Sequence, residues 1–137
     1  MEKCIADRID VINTVPSIIF PSVKDFFVKN FICEYDWDVM LDSIKRLHPD
    51  YYADAVEMSN GTFYLANNIF IMKREWFDKM CQFVFDILLD VDDMYIEKGF
   101  ERNDRYAGYL FEVLYGLFVM HHSHELKIAY ADMYYLG

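Results

Sequence analysis

Apolar residues along this chain fall more often into helical spacing than into strict alternation. Val23, Phe26, Phe27 and Phe31 recur every three or four positions and predict a helix over Val23–Phe31, with Ser22 as its cap and Asp25 three residues on. Trp37, Met40, Leu41, Ile44 and Leu47 predict another helix, capped by Asp36 and stopped at His48-Pro49. A short helix over Asp50–Met58 follows, then a turn at Ser59-Asn60-Gly61. The clearest helix runs over Arg74–Met94. Its polar residues Asp78, Lys79, Gln82, Asp86, Asp90 and Asp93 leave one narrow face for water. Arg105–Met120 predicts a helix of another kind. Tyrosines aside, Glu112 is its one ionisable group between Tyr106 and Met120, so it should be buried on most sides.

Extended segments are few and short. Ile9–Ile12, Thr62–Leu65, Ile69–Met72 and Leu126–Tyr130 are the strand candidates. Helices and strands interleave, which predicts an α/β or α+β fold, rich in helix, with a small sheet. No repeat, low-complexity tract or linker divides the chain, so residues 1–137 are expected to form a single domain. Four short strands are few for a complete doubly wound domain and suggest part of a larger one.

Composition narrows the class of function. Apolar residues make up 55% of the chain and aromatics 18%, enough for a packed core. Lys and Arg number 13 against 23 Asp and Glu, a formal net charge of −10, which argues against nucleic acid and anionic lipid as partners. Cys4, Cys33 and Cys81 are odd in number and lack C-x-x-C spacing. Free thiols in a reducing cytoplasm are therefore expected, not a disulfide framework or a zinc site. No apolar run reaches the ~18–20 residues of a membrane span.

Candidate chemistry is sparse. Asp36-Trp37-Asp38 and Asp90-Val91-Asp92 have the spacing with which sugar-nucleotide transferases hold a divalent metal. One sits at a predicted helix start and the other on a helix's polar face, so structural roles are expected for both. His121, His122, His124 and Glu125 could bind a metal, but they follow a helix end, and a helix terminus or exposed loop is the expected reading. Glu112 needs a partner inside its apolar helix. Arg105, seven residues earlier, lies on nearly the same face, so an ion pair and a site carboxylate both stay open. Asn67-Asn68 stands against the run Ile69-Phe70-Ile71-Met72. Those amides either close a turn by Asx-type bonds or meet a ligand.

Two motifs carry a resemblance. "NIFIMKREWFDKMCQFVFDILLDVDDMY" and "DRYAGYLFEVLYGLFV" together resemble a bacterial family defined as a domain of unknown function and associated with capsular or exopolysaccharide glycosyltransferases. The "DRYAGYLFEVLYGLFV" segment is similar to that family's R-x-x-GFL-x-ERL segment, with Arg105, Gly108, Tyr109, Leu110 and Glu112 matching and Val113 replacing the family's arginine after the glutamate. "RIDVINTVPSIIF" and "LHPDYYADAVE" match further segments loosely, so the resemblance covers roughly residues 8–130.

The resemblance implies a partial GT-A-like fold with a small mixed sheet. Nothing before Arg8 matches the family's nucleotide-binding half, so the chain is expected to be the C-terminal, acceptor-side half. It implies transfer of a sugar from a nucleotide-sugar to a glycan acceptor, incomplete in this chain alone. Glu112 and Arg105 would be catalytic. Asn68, Asn67, Tyr64 and Tyr109 would bind substrate, with Tyr64, Trp76 and Tyr109 available to stack on sugar rings. A divalent metal such as Mn or Mg is implied for the complete family domain, and no cofactor for this chain. The alternative is a non-catalytic remnant or accessory subunit acting through protein–protein contact, as a homo-oligomer or with a partner donor domain.

Overall fold

Ser22 starts the first helix as its side chain predicts: the hydroxyl oxygen accepts from the backbone N–H of Asp25 at 3.1 Å. That helix, α1, spans Val23–Asn30 and buries Val23 and Phe27. A computed structural model of the chain describes residues 8–65, 69–95, 105–132, 134 and 136. Four further α-helices follow in it: α2 (Glu34–Leu47), α3 (Tyr52–Asn60), α4 (Arg74–Tyr95) and α5 (Tyr106–His121). A 3-10 turn over Pro49–Tyr51 joins α2 to α3.

The strands form two small sheets. β1 (Val11–Thr14) is central to the larger one. It pairs antiparallel with β4 (Phe70–Met72) and parallel with β5 (Ile128–Ala131), giving the order β4-β1-β5. β2 (Ser17–Ile18) pairs antiparallel with β3 (Phe63–Tyr64). The result is a helix-rich α/β fold with a small mixed sheet, as the sequence predicts.

The core gathers around α5. Leu110, Val113, Leu114, Tyr115, Leu117, Phe118 and Val119 are all buried. Trp37, Met40 and Ile44 of α2 and Met80, Phe83, Val84 and Ile87 of α4 share that core. Burying side chains of this size contributes roughly 1.5–3 kcal/mol each before chain entropy is subtracted.

Three expectations are corrected. Asp36 does not cap α2. The helix begins three residues earlier, because Cys33 adopts the extended backbone of an N-cap, and Asp36 lies buried inside the first turn. The first strand lies at Val11–Thr14, since its register is set by β4 and β5, which bracket it. The water-facing side of α4 is not narrow: besides Asp78, Lys79, Gln82, Asp86 and Asp93, it exposes Phe77, Phe85 and Leu89. This helix packs against α2 and α5 through one arc only.

Asp10 fastens the sheet at the entry to β1. Its carboxylate accepts from the backbone N–H of Lys127, just before β5, at 2.8 Å, and meets Lys73 Nζ, just after β4, at 3.0 Å. Burial pushes this carboxyl upward, but the Lys127 bond and the Lys73 ammonium outweigh it and hold the group below its usual range. The ionised form therefore stabilises the fold above about pH 3.8, and that contribution is lost as pH falls through the depressed folded value. Asp10→Ala should lower unfolding free energy at pH 7 by about 1.5 kcal/mol, the low end for hydrogen bonds to an ionised group. Urea melts of parent and variant should converge as pH drops below about 3.8. A gap that stays constant into acid would show that the charge contributes nothing.

Candidate functional site

Where α5 passes the paired strands β2 and β3, its packing leaves a gap. A cavity of about 130 Å³ lies there, lined by Pro16, Val23, Met58, Phe63, Tyr64, Leu65, Glu112, Val113, Gly116 and Met120. Its lining residues are apolar except for Tyr64 and Glu112. β3 supplies Tyr64, and the second turn of α5 supplies Glu112. Both side chains are half-buried. Gly116 lines the same cavity, and a Cβ placed there would lie 3.8 Å from the Leu65 backbone nitrogen, an ordinary contact.

Electrostatics couple the two polar residues. Burial raises the Tyr64 phenol above its ordinary value, and the Glu112 charge raises it further. The phenol therefore stays protonated near neutrality and is able to donate. Its ring meets Phe27 edge-on at 5.5 Å and Phe26 at 6.2 Å.

An aromatic surface continues from this cavity. Phe26 meets Phe31 at 5.6 Å, and Phe31 stacks on Tyr109 at 4.5 Å. The Arg105 guanidinium lies 5.6 Å from the centre of the Tyr109 ring, close enough for a cation–π contact. Tyr64 and Glu112 thus share one cavity, Tyr109 and Arg105 form a separate pair, and α1 rings connect them. Asn67 and Asn68 lie outside the described residues. Leu65, two positions before Asn67, lines the cavity.

Trp76 is not part of this group. Its ring packs edge-on against Phe118 at 6.2 Å and His122 at 5.4 Å, with Lys79 Nζ 4.7 Å from its centre.

The Asp-x-Asp residues have structural duties. Asp38 meets Lys24 at 3.6 Å. Asp90 accepts from Ser43 Oγ and from Arg46, the latter at 2.5 Å, and Asp92 accepts from the Tyr106 phenol. With Asp36 buried in a helix turn, neither pair fits the divalent cation implied for the complete family domain. Among the described residues no group of three or more His, Cys, Asp or Glu could hold a metal.

The histidines at the end of α5 are also occupied. His121 Nδ1 lies 2.7 Å from Asp54 Oδ2, and its ring stacks on Tyr51 at 3.9 Å. The Tyr51 phenol lies 2.6 Å from His122 Nε2, and His122 Nδ1 lies 3.4 Å from Glu125. His124 is exposed.

Sequence reasoning missed a polar pair that joins β1 to α5. Asn13 is 2% exposed, its Oδ1 accepts from the Tyr115 phenol, and its Nδ2 has no hydrogen-bond partner among the described residues. The one local signal was an asparagine inside the strand run Val-Ile-Asn-Thr-Val.

Comparisons with known proteins bear on this architecture. A family model described as Domain of unknown function (DUF4422) matches residues 1–123. No curated protein matches the chain by sequence. Among solved structures, the apo form of the bifunctional glycosyltransferase WbbM is similar in fold, with a TM-score of 0.80 at 17% identity over 96% of this chain. The chain spans 24% of the length of that protein. No helix among the described residues is long and apolar enough to cross a membrane.

The Tyr51–His122 contact generates a pH prediction. Burial lowers the His122 imidazole below its ordinary value, against the opposing pull of Glu125. Burial also pushes the Tyr51 phenol up to about 12, so the phenol donates and the neutral imidazole nitrogen accepts. A base whose folded value is depressed binds its proton first in the unfolded chain. Stability should then fall as pH drops below about 6.5 and level off beneath the folded value. His122→Asn should flatten that slope in thermal melts between about pH 7 and pH 5. An unchanged slope would assign it to other groups.

Proposed function

The chain belongs to the DUF4422 family, and on that premise we propose that it takes part in glycosyl transfer as the acceptor-side portion of a GT-A-like enzyme of capsular or exopolysaccharide synthesis. The observation that carries this reading is the meeting of Tyr64 and Glu112 in one apolar-walled cavity, with the Phe31–Tyr109 surface beside it. A carboxylate that accepts, a phenol that donates and an aromatic face for C–H edges form a set suited to a sugar. At about 130 Å³ the cavity is smaller than a whole ligand pocket, so it is a subsite that receives one hydroxyl-bearing edge.

Glu112 then accepts the proton of the attacking acceptor hydroxyl. That oxygen forms its bond to the anomeric carbon of a nucleotide-sugar, and the nucleoside diphosphate leaves with the electron pair. Tyr64 donates to the acceptor and fixes its orientation. Tyr109 stacks on a sugar ring. Arg105, exposed beside it, offers a cation to the leaving diphosphate. Asn67 and Asn68 are assigned to sugar hydroxyls, which amides can both donate to and accept from. Donor binding falls to polypeptide beyond this chain, in keeping with the quarter of WbbM that it spans. A non-catalytic subunit acting through protein contacts is the alternative reading, favoured by the exposed apolar residues of α4.

Two measurements test the proposal. Calorimetry against a panel of sugar nucleotides with manganese should show no binding tighter than millimolar. A micromolar, metal-dependent signal would restore a complete donor site to this chain. Saturation-transfer NMR against neutral oligosaccharides should show contacts that weaken about tenfold in Glu112→Gln and Tyr64→Phe, the scale of losing one hydrogen bond to an ionised group. Urea midpoints for both variants should stay near the parent's. A large stability loss in Glu112→Gln that Arg105→Met relieves would replace the site role with a core ion pair.

A further inference from the structure

The exposed side of α4 presents leucines and phenylalanines where a helix of its composition could have placed polar groups. Leu89 is 64% exposed and Phe85 49%, and Leu47 at the end of α2 is 44% exposed. Leu47 and Leu89 wall a groove of about 450 Å³ between α2 and α4, which shares no lining residue with the cavity at Glu112. The remaining walls of the groove are Asp86, Asp90, Asp93 and His48.

We infer that this groove and the adjoining Phe85 dock one amphipathic helix of a partner polypeptide, apolar on the docking face and flanked by lysine or arginine. Charge selects this occupant. Three carboxylates line the groove, and Arg46 beside it is already shared between Asp42 at 2.8 Å and Asp90 at 2.5 Å. His48 is engaged with Asp86 at 3.0 Å. A basic flank complements the negative charge these three carboxylates keep beyond their single arginine, while apolar residues cover Leu47, Phe85 and Leu89. A second copy offers the same acidic face, on a chain of net charge −10, and is repelled at low ionic strength. Anionic lipid is repelled for the same reason.

Geometry sets the length of the partner. From Phe85 to Asp93, α4 advances about 12 Å, at about 1.5 Å per residue. A partner helix of about eight residues or more, with apolar residues three or four positions apart, covers that distance.

The test uses the full chain and a fluorescent peptide of about 18 residues with leucines at helical spacing flanked by lysines, read by anisotropy. A twin with glutamate for lysine is the control. The lysine peptide should bind at least about tenfold more tightly than its twin and should weaken steadily as salt is raised. Leu89→Lys should lose at least about tenfold in affinity. Asp86→Asn with Asp93→Asn should lose severalfold and flatten the salt dependence. Phe20→Ser, at an apolar residue outside the groove, should bind as the parent does. Equal binding of the two peptides, or full affinity in a Leu89→Lys protein whose melting curve matches the parent's, would overturn the proposal. Sedimentation of the parent as a dimer that Leu89→Lys dissolves would also overturn it, in favour of a second copy.

Discussion

Everything in this fold depends on enclosing α5. A sixteen-residue helix with so few polar side chains cannot lie on a surface without exposing a wide apolar face. α3 and α4 pack against it, α2 packs on α4 and α3 to complete the core, and the central sheet closes on Tyr115 through Phe70, whose ring stacks on the phenol ring at 4.4 Å. The hydrophobic effect drives this enclosure, and its non-directional character leaves room for small misfits. The gap beside the β2–β3 pair is one such misfit, and it falls where α5 carries its carboxylate. Glu112 thus reaches partial solvent through a cavity without leaving the helix.

Much of this was legible in the sequence, for physical reasons that differ by element. Helices announced themselves because burial on one side imposes a period of about 3.6, and Ser22 marked a start because its hydroxyl replaces a missing backbone bond. β1, β3, β4 and β5 were legible in existence but not in bounds, and β2 (Ser17–Ile18) was not foreseen. β2 and β3 have two residues each, too few for an alternating pattern to register, and β1 takes its limits from partners distant in sequence. Asp36 misled because an acid in a first turn and an acid at a cap are indistinguishable by residue type. The backbone of Cys33, not any side chain, decides the matter.

The site was legible in part. Glu112 stood out because an ionisable group inside an apolar helix is rare and needs a reason. Its nearness to Tyr64 was hidden, since the two are brought together by β3 turning back toward α5, a tertiary event without a local signal. The Asn13–Tyr115 pair was hidden for the same reason: its members lie on β1 and α5. α4 misled in the other direction. Its apolar residues predict burial on most sides, but packing uses only one arc, and amphipathicity alone does not say which apolar residues are covered by the same chain.

One spacing in α5 ties these observations together. Tyr106, Tyr109, Glu112 and Tyr115 recur every third residue. Each step of three turns a helix by about 300°, so successive members shift by about 60° around the axis. A strict stripe would face one neighbour, whereas this series sweeps across several. Tyr106 donates to Asp92 of α4, and Tyr109 stacks on Phe31 beside α1. Glu112 enters the cavity beside β3, and Tyr115 donates to Asn13 of β1. The apolar body of α5 supplies the burial but no register, because apolar contact tolerates sliding and rotation. Three polar or aromatic contacts to three different elements fix both. Glu112 differs from the other three in being the one ionised member, and its surroundings include the cavity and a phenol kept protonated by burial and by its charge. The same series that sets the helix in place therefore also holds its single carboxylate at the rim of the core, beside the cavity.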